Sequence, residues 1–148
     1  MKSKITTMLT IALLAIMFVS CSKDDKDSEE APKTSSDGFT WKENGSPTVQ
    51  IATAATFSTQ YKTIKAYSGT TLVFEINLSG TTPATYTLNT NNVITYTKVS
   101  PFFIPTSGNV IISSNANSKV SGTFQGTGTT TAGISSVSGT FTNITLVP

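Results

Sequence analysis

Histidine and arginine are both absent from this 148-residue chain, and cysteine occurs once. Without histidine there is no Ser-His-Asp triad, no His-bearing zinc site and no side chain whose ordinary titration falls near neutrality. Without arginine, a nucleic-acid surface would rely on lysine point charges, which cannot make the bidentate contacts that grip phosphates and bases. From residue 38 onward the lysines are Lys42, Lys62, Lys65, Lys98 and Lys119, scattered rather than clustered, so nucleic acid is not an expected partner. Acids are scarcer still, with only Glu43 and Glu75 in that stretch. Glycoside hydrolysis uses two carboxylates flanking one bond, whereas here one glutamate stands beside a turn and the other in mid-strand. The Gly126-Thr127-Gly128 stretch lacks the lysine and the following helix of a phosphate loop. On these grounds no catalytic residue, metal ligand or cofactor is assigned, and the chain reads as a non-enzyme.

Long apolar runs are also few. The one that stands out, Ile5 to Val19, follows Lys2 and Lys4, is broken only by Thr6, Thr7 and Thr10, and ends in Phe18-Val19-Ser20-Cys21. This arrangement reads as a lipoprotein signal peptide over residues 1–20, with small Ser20 giving the peptidase access to the bond before Cys21. A retained transmembrane helix fits less well, because the run is short for a span of about 20 residues and no stop-transfer cluster follows closely. Lipid on Cys21 would hold the mature chain on a membrane. One acyl chain binds only marginally, at about 0.8 kcal/mol per buried methylene, whereas two or three, palmitate among them, anchor durably. With Cys21 so used, no disulfide is possible, and the domain must be held by its core.

Residues 21–37 then mix three lysines with six acids and have no large apolar residue, so they are expected to form a disordered tether. From residue 38 the text turns to threonine, serine, asparagine, glycine and β-branched or aromatic residues. No stretch keeps a 3.6-residue apolar period, and short runs bounded by turn residues predict one all-β domain over residues 38–148. The expected architecture is an antiparallel β-sandwich, or alternatively a small β-barrel, of about eight to nine strands. Phe39 and Trp41 share the inward face of the first strand, and Asn44-Gly45 with Ser46-Pro47 marks a turn. Val49 and Ile51 continue on a second strand, while residues 52–59 read as a helical turn or irregular loop. In the run from Thr71 to Leu78, alternation puts Leu72, Phe74, Ile76 and Leu78 on one face and Val73 and Glu75 on the other.

An internal echo lies near the end. Val120-Ser121-Gly122-Thr123-Phe124 returns as Val137-Ser138-Gly139-Thr140-Phe141. Each copy sets a valine, a glycine and a phenylalanine on one face, with the glycine making room for a neighbouring ring. Two such copies predict a hairpin joined by residues 126–133. Beyond Phe141 the apolar parity shifts to Ile144 and Leu146, which predicts a bulge at Thr142-Asn143.

The lipobox, the following Ser22-Lys23-Asp24-Asp25, the opening Phe39-Thr40-Trp41-Lys42-Glu43-Asn44-Gly45 and the Val-Ser-Gly-Thr-Phe strands together resemble small single-domain surface lipoproteins of unknown function from Bacteroidota. The resemblance spans nearly the whole chain, although its motifs are built from structural residues. It implies that the acidic run after Cys21 directs export to the outer face of the outer membrane, the periplasmic face being the alternative. It carries no activity and no functional residue.

What remains is binding. Tyr61, Tyr67, Tyr96, Phe102 and Phe103 are the rings that would form a stacking platform for a glycan, or a contact for an envelope protein. Tyr61 and Tyr67 lie in opposite phase to Ile64 and Ala66, and Phe102-Phe103-Ile104 sits between two prolines. Trp41, in phase with Phe39, is expected in the core. The expected function is therefore a lipid-anchored, non-catalytic surface protein with a binding module, the alternative being a surface component that is displayed without a small-molecule ligand.

Overall fold

The computed structural model describes residues 37–148. The expected signal peptide, the expected lipidation at Cys21 and all of the expected tether before Asp37 lie outside the described residues. Ten strands follow in order: β1 (Gly38–Glu43), β2 (Gln50–Ile51), β3 (Ala54–Ser58), β4 (Thr63–Ser68), β5 (Thr71–Asn77), β6 (Ala84–Thr87), β7 (Val93–Tyr96), β8 (Ser107–Ala116), β9 (Lys119–Thr127) and β10 (Ser136–Val147). Among the described residues there is no helix.

All ten strands belong to one hydrogen-bonded sheet, with the main path running β6-β8-β9-β10-β3-β4-β5-β7 and curling into a half-barrel. The all-β class is as expected. The curled sheet is continuous where a sandwich has two separate layers, and its count exceeds the expected strands by β3. Residues 54–58 form that strand although only Phe57 among them is large. It pairs antiparallel to β4 and parallel to the last residues of β10, the one parallel pair in an otherwise antiparallel sheet.

The change of partner along β10 has a local cause. Its first half lies between β9 and β1, with Phe141 opposite both Gly122 and Phe39. Between Phe141 and Ile144 the register against β9 shifts by one residue, and Asn143 takes φ +49°. This is the bulge expected at Thr142-Asn143. A bulge bends its strand, and past this bend β10 leaves β1 and pairs Thr145, Leu146 and Val147 with β3.

A second bulge corrects the reading of β5. Ala66 pairs with Phe74 and Tyr67 with Leu72, so Val73 is the extra residue. Val73 and Phe74 are therefore both buried while Leu72 is only half-buried, because the inserted residue resets the two-residue alternation.

The concave side of the sheet holds the core. Phe39 of β1 stacks on Phe124 with ring centroids 5.0 Å apart, and Phe74 packs on Phe39, Trp41, Tyr96 and Phe124. The echoed sequences explain how these rings fit: Gly139 stands directly opposite Phe124, and Gly122 directly opposite Phe141. Each phenylalanine lies over the other copy's glycine. Phe57, Ile64, Ile76, Ile94, Val110 and Val120 complete the buried set.

The two ends of the sheet path, β6 and β7, are consecutive in sequence and joined only by residues 88–92. Asn92, itself buried, fixes this connection by accepting from the Ser79 N–H at 2.7 Å and donating to the Thr87 carbonyl at 3.0 Å.

Candidate functional site

With apolar side chains turned inward, the outer face of β3, β4 and β5 receives the residues of opposite parity. Register sets them in cross-strand rows. Thr56, Lys65 and Glu75 form one row, and Ser58, Thr63 and Asn77 form the next, nearer the β3–β4 turn. A shallow groove of about 530 Å³ runs over these six residues, walled at one end by Tyr61 and at the side by Val147 and Pro148.

The groove floor is a linked polar chain. The Thr63 hydroxyl lies 2.7 Å from Asn77 Oδ1 and 3.0 Å from the Tyr61 carbonyl oxygen, and donates to one of them at a time. Asn77 Nδ2 donates to Glu75 Oε1 at 3.3 Å, and Glu75 Oε2 lies 4.0 Å from Lys65 Nζ. Half-exposed charges at that separation attract each other weakly, and the two side-chain charges offset each other. At the turn, Ser58 Oγ accepts from the Tyr61 N–H at 3.3 Å and donates to the Pro148 carbonyl at 3.1 Å. Lys62, in the left-handed conformation at φ +54°, donates to the Ser79 carbonyl. These contacts hold the turn that presents Tyr61, whose side chain is 72% exposed and whose phenol has no hydrogen-bond partner among the described residues.

A second polar cluster closes the rim at the end of β1. Glu43 Oε1 accepts from the Tyr96 phenol, from Gln50 Nε2 and, at 3.3 Å, from Trp41 Nε1. Lys98 donates to Gln50 Oε1 and sits 5.8 Å over the Trp41 ring. Burial works against ionisation of Glu43, but the hydrogen bonds from Tyr96, Gln50 and Trp41, with Lys98 nearby, outweigh it and hold the carboxyl below its usual range. Burial, followed by the bond to Glu43, pushes the Tyr96 phenol well above its usual range. Tyr96, Gln50 and Trp41 all converge on the Glu43 carboxylate, so the cluster ties β1 and β2 to β7.

The five rings singled out from sequence divide accordingly. Tyr61 walls the groove, and Tyr67, half-buried, lies on the same face of β4 two residues beyond Lys65. Phe102 is 60% exposed. Tyr96 and Phe103 are corrections: both are fully buried, pair through mutual backbone hydrogen bonds and face the core, so neither can stack on a surface ligand. Trp41 is in the core as expected. Thr63, Lys65, Glu75 and Asn77 were not singled out from sequence as binding residues. Their outward parity was readable, but their adjacency depends on the pairing of β4 with β5. Among the described residues, no group of three or more His, Cys, Asp or Glu side chains stands ready to hold a metal ion.

The fold and this groove define a class: a small all-β half-barrel domain with a hydroxyl-rich groove on its convex face. Residues 35–148 match the family described as a domain of unknown function, DUF6252, and the chain belongs to that family. Neither a curated protein nor a solved structure matches the chain.

Proposed function

We propose that this chain is a lipid-anchored, non-catalytic protein of the outer-membrane surface whose β domain binds glycan in the groove beside Tyr61. The observation that carries the reading is the exposed Tyr61 ring standing over a floor of threonine, asparagine, serine and a balanced Lys65–Glu75 pair. A flat ring covers the apolar face of a sugar while hydroxyl and amide groups bond its rim, and a few polar groups converging in a concavity of a few hundred Å³ suit a small ligand. The anchor is supported by Phe18-Val19-Ser20-Cys21, and display on the outer face by the resemblance of Ser22-Lys23-Asp24-Asp25 to the surface-export signal.

A glycan array with the full chain tests the groove. Binding to at least one glycan class, reduced tenfold or more by Tyr61→Ala and by Asn77→Ala with the fold intact, is the expected outcome. Binding that both variants retain would remove the groove from consideration. Labelled palmitate should enter the wild type and not Cys21→Ala, and protease added to intact cells should release the domain.

A further inference from the structure

The groove is one part of a longer outer face. The bonded pair Tyr96–Phe103 extends the sheet by one short segment beyond β7. One residue along that antiparallel pairing, Phe102 stands opposite Thr97 and Ile104 opposite Thr95. Because Tyr96 and Phe103 point inward, Phe102 and Ile104 point outward, where they are 60% and 52% exposed. Thr95 in turn pairs with Glu75 of the groove floor. The surface that begins at Tyr61 thus continues across β4, β5 and β7 to Phe102.

Tyr67 lies on the way. It pairs with Leu72, whose carbonyl accepts the Thr97 hydroxyl, so Tyr67, Leu72, Thr97 and Phe102 follow one another across the strands. At a strand spacing of about 4.8 Å, Tyr67 and Phe102 stand roughly 14 Å apart. Tyr61 lies a further four or more residues along the strand direction, at about 3.3 Å each. Three rings at such separations, with the two polar groove rows between Tyr61 and Tyr67 and with Leu72 and Thr97 between Tyr67 and Phe102, match successive units of an extended ligand. A protein partner would call for a contiguous apolar centre, whereas the middle of this face, between Tyr61 and Tyr67, is the polar groove floor. Across this face the ionised side chains are Lys65 and Glu75, which offset each other, with Lys62 turned to the Ser79 carbonyl at the margin.

Deepening the glycan reading, on which it rests, we infer that the outer face from Tyr61 to Phe102 is a single platform that takes an uncharged polysaccharide chain of several units. The groove beside Tyr61 holds one end, and Tyr67 and Phe102 engage units farther along.

The test is calorimetric titration of the full chain, in a detergent without a sugar headgroup, with size ladders of neutral β-glucan, α-glucan, mannan and xylan oligosaccharides from one to eight units. Polygalacturonate serves as the anionic comparison. Affinity for at least one neutral ladder is expected to rise tenfold or more between two and six units. Phe102→Ala and Tyr67→Ala should bring the long members back to the affinity of the short ones and leave the short ones unchanged, while Tyr61→Ala weakens all lengths. Circular dichroism checks each fold, and Phe102→Ala, being an exposed change, keeps the test usable if Tyr67→Ala misfolds. Length-independent affinity that still depends on Tyr61 would overturn the platform and leave the groove standing. Preference for polygalacturonate would overturn the neutral ligand. No binding to any ladder would overturn both readings.

Discussion

Adding a single methyl group at Gly139 should destabilise the domain through two identifiable neighbours, a ring and a backbone carbonyl. A Cβ there would lie 2.6 Å from Phe124 Cζ and 2.1 Å from the Thr40 carbonyl oxygen, against an ordinary contact of 3.4 Å or more. The ring has little room to retreat, since Phe124 is buried between Phe39 at 5.0 Å and Phe74 at 5.2 Å. Overpacking of this kind costs about 1–3 kcal/mol, and the upper end applies because one neighbour is backbone. The stiffer unfolded chain of alanine returns roughly 0.4–1 kcal/mol. The net expectation for Gly139→Ala is about 2 kcal/mol, or roughly 8 °C in Tm for a domain of this size. Phe124→Ala, by leaving a cavity, should cost about 3–5 kcal/mol. Once the ring is gone, the added methyl is relieved of its contact with Phe124 and keeps the one with the Thr40 oxygen. The double variant should therefore be less destabilised than the sum, with a coupling of about 1 kcal/mol or more. Urea unfolding of residues 32–148, followed by fluorescence of Trp41, the single tryptophan and a buried one, gives each corner of the cycle. The mismatched pair Gly139→Ala with Phe141→Ala is the control, since Phe141 covers Gly122 instead. Additivity within about 0.5 kcal/mol for Gly139→Ala with Phe124→Ala would refute the reciprocal fit of the two echoed strands.

Other consequences follow from particular side chains. Asn44 accepts the Ser135 N–H at 2.7 Å and donates to the Gly133 carbonyl at 2.9 Å while holding φ +51°. Asn44→Ala should lower stability by about 1–3 kcal/mol and speed proteolytic cleavage within residues 128–135, and unchanged cleavage would deny Asn44 its role as the clamp on that loop. The carboxyl of Glu43 is held below its ordinary value of 4.5 in the folded protein, so the stability it contributes is complete above that value and is lost as pH falls through the lower folded one. Wild type should therefore melt above Glu43→Gln at pH 7, with the gap closing below about pH 4.5; a gap that stays constant down to pH 3 would show that the charge of Glu43 is not what ties β1 to β7. Phe74→Ala removes the ring that touches Phe39, Trp41, Tyr96 and Phe124 and should cost about 3–5 kcal/mol, a cost that chemical denaturation would measure.

What could be read from the sequence was local. The echoed strands carried their own instructions, with a glycine and a phenylalanine two apart in each copy, and the shift of apolar parity after Phe141 located the bulge that the Asn143 backbone makes. Asn44-Gly45 was equally direct, because both residues take positive φ in a tight turn closed by the Ser46 N–H on the Glu43 carbonyl. β3 was not readable, because its side chains are small or hydroxylated and it is made a strand by β4 on one side and the far end of β10 on the other. The burial of Tyr96 was hinted at by its phase with Ile94. That of Phe103 was not, since in Phe102-Phe103-Ile104 alternation alone cannot say which ring turns inward until Phe103 finds Tyr96.

The groove shows the same division, and shows what specifies it. Lys65, Glu75 and Asn77 are outward by parity, yet they meet only because Ile64 pairs with Ile76 and Ala66 with Phe74 on the buried side. A slip of one residue between β4 and β5 would turn Lys65 or Glu75 into the core and expose Ile64 or Ile76. The fully buried isoleucines therefore fix the register, and the register places a lysine beside a glutamate and a threonine beside an asparagine. Substitutions at Lys65, Glu75 or Asn77 should accordingly alter the groove while leaving the fold nearly untouched. Ile76→Ala should damage both, because the groove is specified from behind, by the apolar side of the strands that carry it.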